Sequence, residues 1–479
     1  MTSVVSTLSH LGPEVILTLA ALAMLVGGAV RGERTGNTMT WLSVVVLVGA
    51  ALWGLQAARP EPATVFNGAL IFDKLTLFAK TAILLSAALV LMIGAGFLKA
   101  ENIVKYEYAI LVLLATVGMM LMVSANDLLS LYVGLELQSL SLYVLAAFNR
   151  NSLRAAEAGL KYFVLGALAS GLLLYGMTLV YGFAGTTRFA GIADAVQTDA
   201  SVGLIIGLVF VLSGLAFKIS AVPFHMWTPD VYQGAPTPVT AFFASAPKFA
   251  AIVLIARVLM GPFADLLGQW QQVVVTLSVL SMTVGYFGAI MQRNIKRLMA
   301  YSSIANMGYA MIAVAVGSER GLQAMLFYMG LYLITTIGIF ACILAMRQSE
   351  GMVENIDDLA GLSQTRRGLA LSFSLLLFSI SGLPPLAGFF GKFYVFMAAV
   401  DGGLLWLAIY GALISVVGAF YYLRIIKIMW FDEPAPGFVP SGAILSLTAG
   451  TAAFFMLPGA LWLLPALAQW SKAAASSLF

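Results

Sequence analysis

Cysteine occurs once in 479 residues and histidine twice. The lone Cys342 cannot close an internal disulfide, and cysteine-ligated iron–sulfur clusters and structural zinc are excluded. No paired histidines suggest haem. There is no GxGxxG on a strand, no P-loop, no HExxH and no serine-nucleophile elbow. The chain offers no redox or hydrolytic centre of its own. Charge is also scarce. Asp, Glu, Lys and Arg make up 10% of the residues, against ~25% in an ordinary soluble domain. The net charge of +4 comes without a basic patch interleaved with aromatics, so nucleic acid is not expected as a partner.

What is abundant is apolar sequence. Hydrophobic residues make up 61% of the chain, and the mean hydropathy is +0.97. The solvent is a lipid bilayer, and the fold class is an all-α polytopic membrane protein. Crossing the hydrocarbon core takes ~20 residues. By that measure fourteen spans are expected, at 12–30, 40–58, 70–97, 107–124, 127–148, 153–183, 202–221, 238–260, 270–292, 297–316, 321–346, 369–400, 403–430 and 441–464. The N-terminal MTSVVSTLSHLGPEV has no positive n-region, so the first run reads as a retained span. Loops after odd-numbered spans carry fourteen Lys or Arg. Loops after even-numbered spans carry four: Arg59, Arg188, Arg257 and Arg320. The positive-inside rule then places the odd loops in the cytoplasm and both termini outside.

Set aside the eighteen Lys and Arg of those loops and Lys472 of the tail, and six basic residues remain: Lys74, Lys80, Lys161, Lys218, Lys248 and Lys392. All are lysines, which can lose and regain a proton where arginine stays charged. The densest stretch is VFVLSGLAFKISAVPFHMWTPDVYQGAPTPVTAFFASAPKF, residues 209–249. It sets Lys218 and Lys248 in apolar runs on either side of a Pro- and Gly-rich turn that holds His225. Intramembrane charges mark functional sites. Prolines beside them break helices, which is tolerated at membrane depth where the break faces protein or a wet cavity. Glu136 is the carboxylate near the centre of span five and the expected partner of Lys218. A carboxylate that approaches or withdraws changes the lysine's hold on its proton. Lys161 shares a helix face with Glu157, so a local ion pair and a relay role both stand. Lys74 and Lys80 read as interfacial anchors. His225 reads as a relay or hydrogen-bonding group, not a metal ligand. The stretch AYSSIANMGY, 300–309, reads equally as a water-holding segment and as helix–helix hydrogen bonding.

Span seven contains SGLAFKISAVP and span twelve SGLPPLAGFFGKF; both hold SGL, a proline break and a lysine. If spans four to eight and nine to thirteen are two units, each has five helices, and the second must enter the membrane inverted. That divides the chain into helices one to three (1–106), a first five-helix unit (107–260), a second (270–430), and helix fourteen with its tail (431–479).

AFKISAVPFHMWTPDVYQGAPTPVTAFFASAPKFA, SGLPPLAGFFGKFYVF and AYSSIANMGY resemble the antiporter-like membrane subunits of respiratory complex I, the NADH:quinone oxidoreductase. The resemblance covers essentially the whole chain. Multisubunit sodium/proton antiporters share the same plan. The resemblance implies inverted five-helix repeats with broken spans seven and twelve. It implies that Glu136 pairs with Lys218, that Lys248 is the central-axis lysine and that Lys392 is the second half-channel lysine. His225 and Lys161 would support that relay. It further implies proton translocation driven by partner subunits that carry NADH, FMN, iron–sulfur clusters and quinone, with no cofactor in this chain. The partners would be other membrane-arm subunits, and the location a bacterial inner membrane. The alternatives are a subunit of a cation/proton antiporter and a non-conducting scaffold subunit of the same complex.

Overall fold

The computed structural model describes residues 2–57, 61–198, 201–349 and 351–479. Arg59, counted above in an even loop, lies outside them. Helix dominates because a chain in lipid must satisfy each backbone group within its own segment. In chain order the helices are α1 (Thr2–Arg31), α2 (Gly36–Gln56), α3 (Lys74–Ala100), α4 (Tyr106–Ser124), α5 (Leu128–Ala146), α6 (Leu153–Ala184), α7 (Phe189–Thr198), α8 (Val202–Ile219), α9 (Thr228–Gly234) and α10 (Thr237–Ala244). They continue with α11 (Ala246–Met260), α12 (Leu267–Ile290), α13 (Ile295–Ala315), α14 (Glu319–Leu344), α15 (Leu362–Thr365), α16 (Arg367–Ser381), α17 (Ala387–Asp401), α18 (Leu405–Phe431), α19 (Ala443–Met456) and α20 (Leu464–Ala475). Two antiparallel hairpins lie in loops: β1 (Ala63–Val65) with β2 (Leu70–Phe72), and β3 (Arg347–Gln348) with β4 (Gly351–Met352).

Among the described residues twelve helical segments are long and apolar enough to cross a bilayer, with α10 and α11 counted as one. The crossings expected at 369–400 and 441–464 are not single helices. The first is α16 followed by α17, and the second is α19 followed by a 3-10 turn from Pro458 and then α20. Twelve crossings therefore follow from helix length alone. The first helix also begins ten residues earlier than its apolar run suggests.

The breaks expected in spans seven and twelve are present. α8 stops at Ile219 because Ser220 turns left-handed (φ 62°), and α16 stops at Ser381 because Gly382 does the same (φ 86°). A cis proline follows each, at Val222–Pro223 and Pro384–Pro385. A third break was not anticipated. Ser245 (φ −112°, ψ −101°) separates α10 from α11, and Pro247 begins the new helix where a missing N–H costs nothing.

Small residues let the helices approach closely. A Cβ on Gly118 of α4 would lie 2.5 Å from Gln138 N of α5, and one on Gly134 would lie 2.8 Å from Met122 N. The centre of the bundle is α10–α11, α13 and α14, whose apolar segments are wholly or almost wholly buried, while α1, α6 and α18 present most of their surface outward. The most buried helices therefore carry Lys248 and the AYSSIANMGY stretch.

Ion pairs between loops agree with the alternating crossings. Arg347 meets Glu101, Arg297 meets Asp230 and Lys296 meets Glu354, all at ends expected in odd loops. Arg320 meets Asp401 and Arg257 meets Asp73, all at ends expected in even loops. Near the C-terminus, Ser477 Oγ accepts from Leu75 N at 3.1 Å, which puts the chain's end beside the start of α3.

Candidate functional site

Three buried lysines lie along the core: Lys218 is 7% exposed, Lys248 1% and Lys392 4%. Among the described residues none of them has a carboxylate oxygen within 4.0 Å. Each ammonium is held by neutral oxygens and aromatic faces. Lys218 Nζ donates to Ser139 Oγ at 2.7 Å and lies 3.5 Å from Tyr143 OH. Lys248 Nζ donates to Ser303 Oγ at 2.6 Å and sits 5.3 Å from the Tyr232 ring centre. Lys392 Nζ donates to the Ser381 carbonyl at 2.9 Å, approaches Tyr286 OH at 3.4 Å and lies 4.6 Å over the Tyr309 ring. No partner of fixed opposite charge holds the proton in place, and a neutral amine can keep the same hydrogen bonds. The arrangement suits groups that take up and release protons.

The helix breaks position two of these lysines. Lys218 stands in the last turn of α8. Lys392 is on α17, but its ammonium reaches back to Ser381, the last residue of α16. Both charges thus lie at the C-terminal end of a broken helix, where unpaired carbonyls and the helix dipole favour a cation.

The expected Glu136–Lys218 ion pair is not formed. Glu136 is half-buried and accepts from Ser170 Oγ of α6 at 2.5 Å. Ser139, one turn further along α5, takes Lys218 instead. The two charges stay neighbours, each on its own serine. Lys161 bonds elsewhere. It meets Glu157 at 2.7 Å, as the i, i+4 spacing suggests, and Asp230 of α9 at 2.7 Å. Asp230 also meets Arg297 of α13 at 2.5 Å. Burial works to raise the Asp230 carboxyl, but these two cations together hold it below the usual carboxylate value. His225 lies half-buried in the turn between α8 and α9, without a hydrogen bond to either flanking lysine. Burial pushes its imidazole below the ordinary value. Lys74 is exposed as an anchor should be, but Lys80 is not an anchor. It is buried and paired with Glu14 of α1. Glu14 lay too close to the start of its apolar run to stand out beside Glu136.

The α13 stretch links Lys248 towards Lys392. Ser303 bonds Tyr332 at 2.8 Å, Ser302 bonds Tyr422 at 2.6 Å, and Tyr328 OH donates to Asn306 Oδ1 at 2.7 Å. A cavity of about 20 Å³ lies among Asn306, Tyr328, Tyr332, Thr335, Ser379 and Gly388, and a polar void above ~10–15 Å³ accommodates a water. Direct helix–helix hydrogen bonds and room for water are therefore both present. Sequence reasoning missed the four tyrosines 286, 328, 332 and 422, because an aromatic in a membrane span reads as packing; Tyr309 belongs to the AYSSIANMGY stretch already singled out. Between Lys218 and Lys248 the link is a row of rings. Tyr143 and Tyr162 are 4.8 Å apart, Tyr162 and Trp227 4.4 Å, and Trp227 and Tyr232 6.4 Å. Among the described residues no group of three His, Cys, Asp or Glu could hold a metal ion.

A sequence profile of the family described as NADH:quinone oxidoreductase/Mrp antiporter, TM matches residues 125–418. That range includes Glu136, Lys218, Lys248 and Lys392. The chain is 58% identical to NADH-quinone oxidoreductase subunit N of Maricaulis maris (strain MCS10) over 95% of its own length and 96% of the relative's. It is 56% identical to the subunit N of Rhodospirillum rubrum over 93% of each. Its fold superposes on a chain of respiratory complex I from Thermus thermophilus with bound aureothin. That match has a TM-score of 0.82 and 32% identity, and covers 95% of this chain and 99% of that one. The chain belongs to the NADH:quinone oxidoreductase/Mrp antiporter family of membrane subunits.

Proposed function

We propose that the chain is a proton-translocating membrane-arm subunit of an NADH:quinone oxidoreductase in a bacterial inner membrane, coupled to redox chemistry in partner subunits. The observation that carries this reading is the line of three buried lysines held by neutral oxygens within the family-matched region. NADH, FMN, iron–sulfur clusters and quinone belong to the partners. Residues 107–260 and 270–430 act as two inverted half-channel units, and the positive loops face the cytoplasm with both termini outside.

In this mechanism Glu136 and Lys218 form the input. Here they rest apart, on Ser170 and Ser139. Closing to a direct contact, then opening again, changes how firmly Lys218 holds its proton. The proton passes to Lys248 and, through the serine–tyrosine network of α13, to Lys392. Moving a charge across 100 mV costs ~2.3 kcal/mol, and one pKa unit corresponds to ~1.4 kcal/mol. Swings of a few units in proton affinity at buried amines are enough per proton. His225 and Lys161 support the relay from its margin, since neither bonds to the axis lysines in this conformation.

A mild-detergent purification of the tagged chain tests the assignment. Co-purifying NADH:quinone reductase activity with flavin and iron–sulfur absorbance is the expected result. A clean preparation lacking both, from membranes where such a complex survives, would overturn it in favour of an antiporter assembly.

A further inference from the structure

The first three helices take no part in the line of lysines, yet they hold a second set of buried charges. Glu14 on α1 and Lys80 on α3 are 4% and 7% exposed and form an ion pair. Lys80 also lies 4.1 Å over the Phe72 ring. Glu14 Oε2 has no hydrogen-bond partner among the described residues. Next to this pair, Arg257 of α11 contacts Asp73 through two nitrogens, each at 2.9 Å, and Thr76 Oγ1 at 2.9 Å. That pair is also buried. Two anions and two cations thus share one buried region, where leaving any one unpaired is costly.

A cavity of about 70 Å³ opens beside them. Its walls include His10, Glu61, Asp73, Thr76, Lys80 and Thr81. Glu61 and Lys74, at its rim, are exposed. Since ~10–15 Å³ of such space admits a water, the cavity has room for several, among polar groups that can bind them. Lys80 is one of the cavity's walls, and Glu14, which does not line it, lies in direct contact with Lys80.

We propose that Glu14 and Lys80 form a proton-binding site separate from the lysine axis, reached by water from the end of the bundle where α3 begins, and felt by α11 through Asp73 and Arg257. The step delivers a proton from cavity water to the Glu14 carboxylate by way of Lys80: the ammonium gives a proton to Glu14 and regains one from the water. Lys80 ends protonated and without its counter-charge. Asp73 is then the nearest buried anion, and Lys80 competes with Arg257 for it. Among the described residues, other charges facing the site are few. α3 contributes Lys80 and, at its start, Asp73 and Lys74. α11 contributes Arg257, the loop after α2 contributes Glu61, and α1 itself contributes His10. α20, which packs on α3, carries Lys472, and that residue is not among the cavity's walls. α2 has no charged residue, and α4 has only Glu107, in its first turn at the opposite end.

The site is not a branch of the axis. Between Lys248 and Arg257 stand Phe249 to Ala256, all apolar and buried, a gap of ~13 Å at the helical rise. Its influence runs through the seating of α11, the helix that carries Lys248. An acid medium on this face loads Glu14, loosens the Arg257–Asp73 contact and slows turnover. The effect on turnover rests on the proposed pump; the access of water to the site does not.

The test uses the intact complex in sealed membranes with this face exposed to the buffer. Thr81→Cys is introduced with Cys342→Ala, so that the chain has one thiol. Silver ions added on this side are expected to protect that thiol from later maleimide labelling after denaturation. In parallel, Glu14→Gln fixes the uncharged form. It is expected to abolish the dependence of turnover on the pH of this face while protons pumped per electron stay unchanged. Lys80→Met is expected to flatten the same profile, and it decides the matter if Glu14→Gln does not assemble. An unprotected thiol at position 81, or a natural pH profile in the assembled variants, overturns the site. A fall in protons per electron in Glu14→Gln overturns its separateness from the axis. If instead Lys248→Ala leaves the proton yield intact while Thr81→Cys is protected, the pump reading fails and the site stands.

Discussion

Lys392 Nζ donates to the Ser381 carbonyl at 2.9 Å, so a side chain on α17 closes the C-terminal end of α16 across a break in one crossing. The Lys392 charge is thereby tied to a helix end whose last carbonyls lack partners within the helix. Gly382 makes the contact possible. It has φ 86°, and a Cβ there would lie 2.8 Å from Lys392 Cδ. Gly382→Ala is expected to displace the ammonium and to add ~1–3 kcal/mol of backbone strain. Quinone reduction should continue with fewer protons moved per electron, as measured by dye quenching in sealed vesicles at matched NADH oxidation.

Ser303 holds Lys248 at 2.6 Å in the most buried part of the bundle. Ser303→Ala leaves that group without its oxygen partner, a loss of ~1–3 kcal/mol. Proton yield should fall in complexes that still assemble. Ser303→Thr restores the hydroxyl and is expected to recover most of it. Equal yields in the Ala and Thr variants would remove Ser303 from the route.

Glu136 and Lys218 sit on separate serines, Ser170 and Ser139. Ser139→Ala removes the group that keeps Lys218 away from the carboxylate and is expected to bias the couple towards direct contact. Its effect on proton yield should depend on Glu136. In a double-mutant cycle with Glu136→Gln, the coupling is expected to exceed ~0.5 kcal/mol, as for residues that share one network. Additive effects would mean that the two charges act independently.

Asp230 links α6 to α13 through Lys161 and Arg297. Its carboxyl titrates below the unfolded value of ~3.9. The linkage is therefore present above that value and is lost as pH falls through the lower folded one. Between pH 5 and 8 the link should be insensitive to pH. Asp230→Asn is expected to cost only ~0.2–1 kcal/mol, because the site is partly exposed. Thermal unfolding of the purified complex across that pH range checks both statements.

The sequence revealed much of this because charge at membrane depth is rare enough to be conspicuous. Lys218, Lys248 and Lys392 stood out against apolar runs, and all three are buried in the core. The breaks at Pro223 and at Pro384–Pro385 were legible from proline, while the break at Ser245 was hidden because Pro247 also reads as an ordinary helix start. Partners were harder to read. Span-centre position suggested that Glu136 would reach Lys218, but side-chain reach is decided by which hydroxyl lies on the neighbouring turn. Here that is Ser139. Lys80 misled for a related reason. Six residues from the start of its helix it resembles a snorkelling anchor, and only the folded bundle, in which α1 and α3 both pack on α2 and α4, buries it beside Glu14. Of the two tyrosines at Lys392, Tyr309 was legible as part of AYSSIANMGY, while Tyr286 carries no sequence signal, since a phenol that packs and one that bonds look alike.

The most direct measurement is the number of protons moved per electron by Lys248→Ala complexes in sealed vesicles, with NADH oxidation and assembly verified in the same preparation. The account predicts that electron transfer persists while the proton yield falls below that of the natural complex. An unchanged yield in fully assembled Lys248→Ala complexes would contradict it and leave the lysines as structural charges.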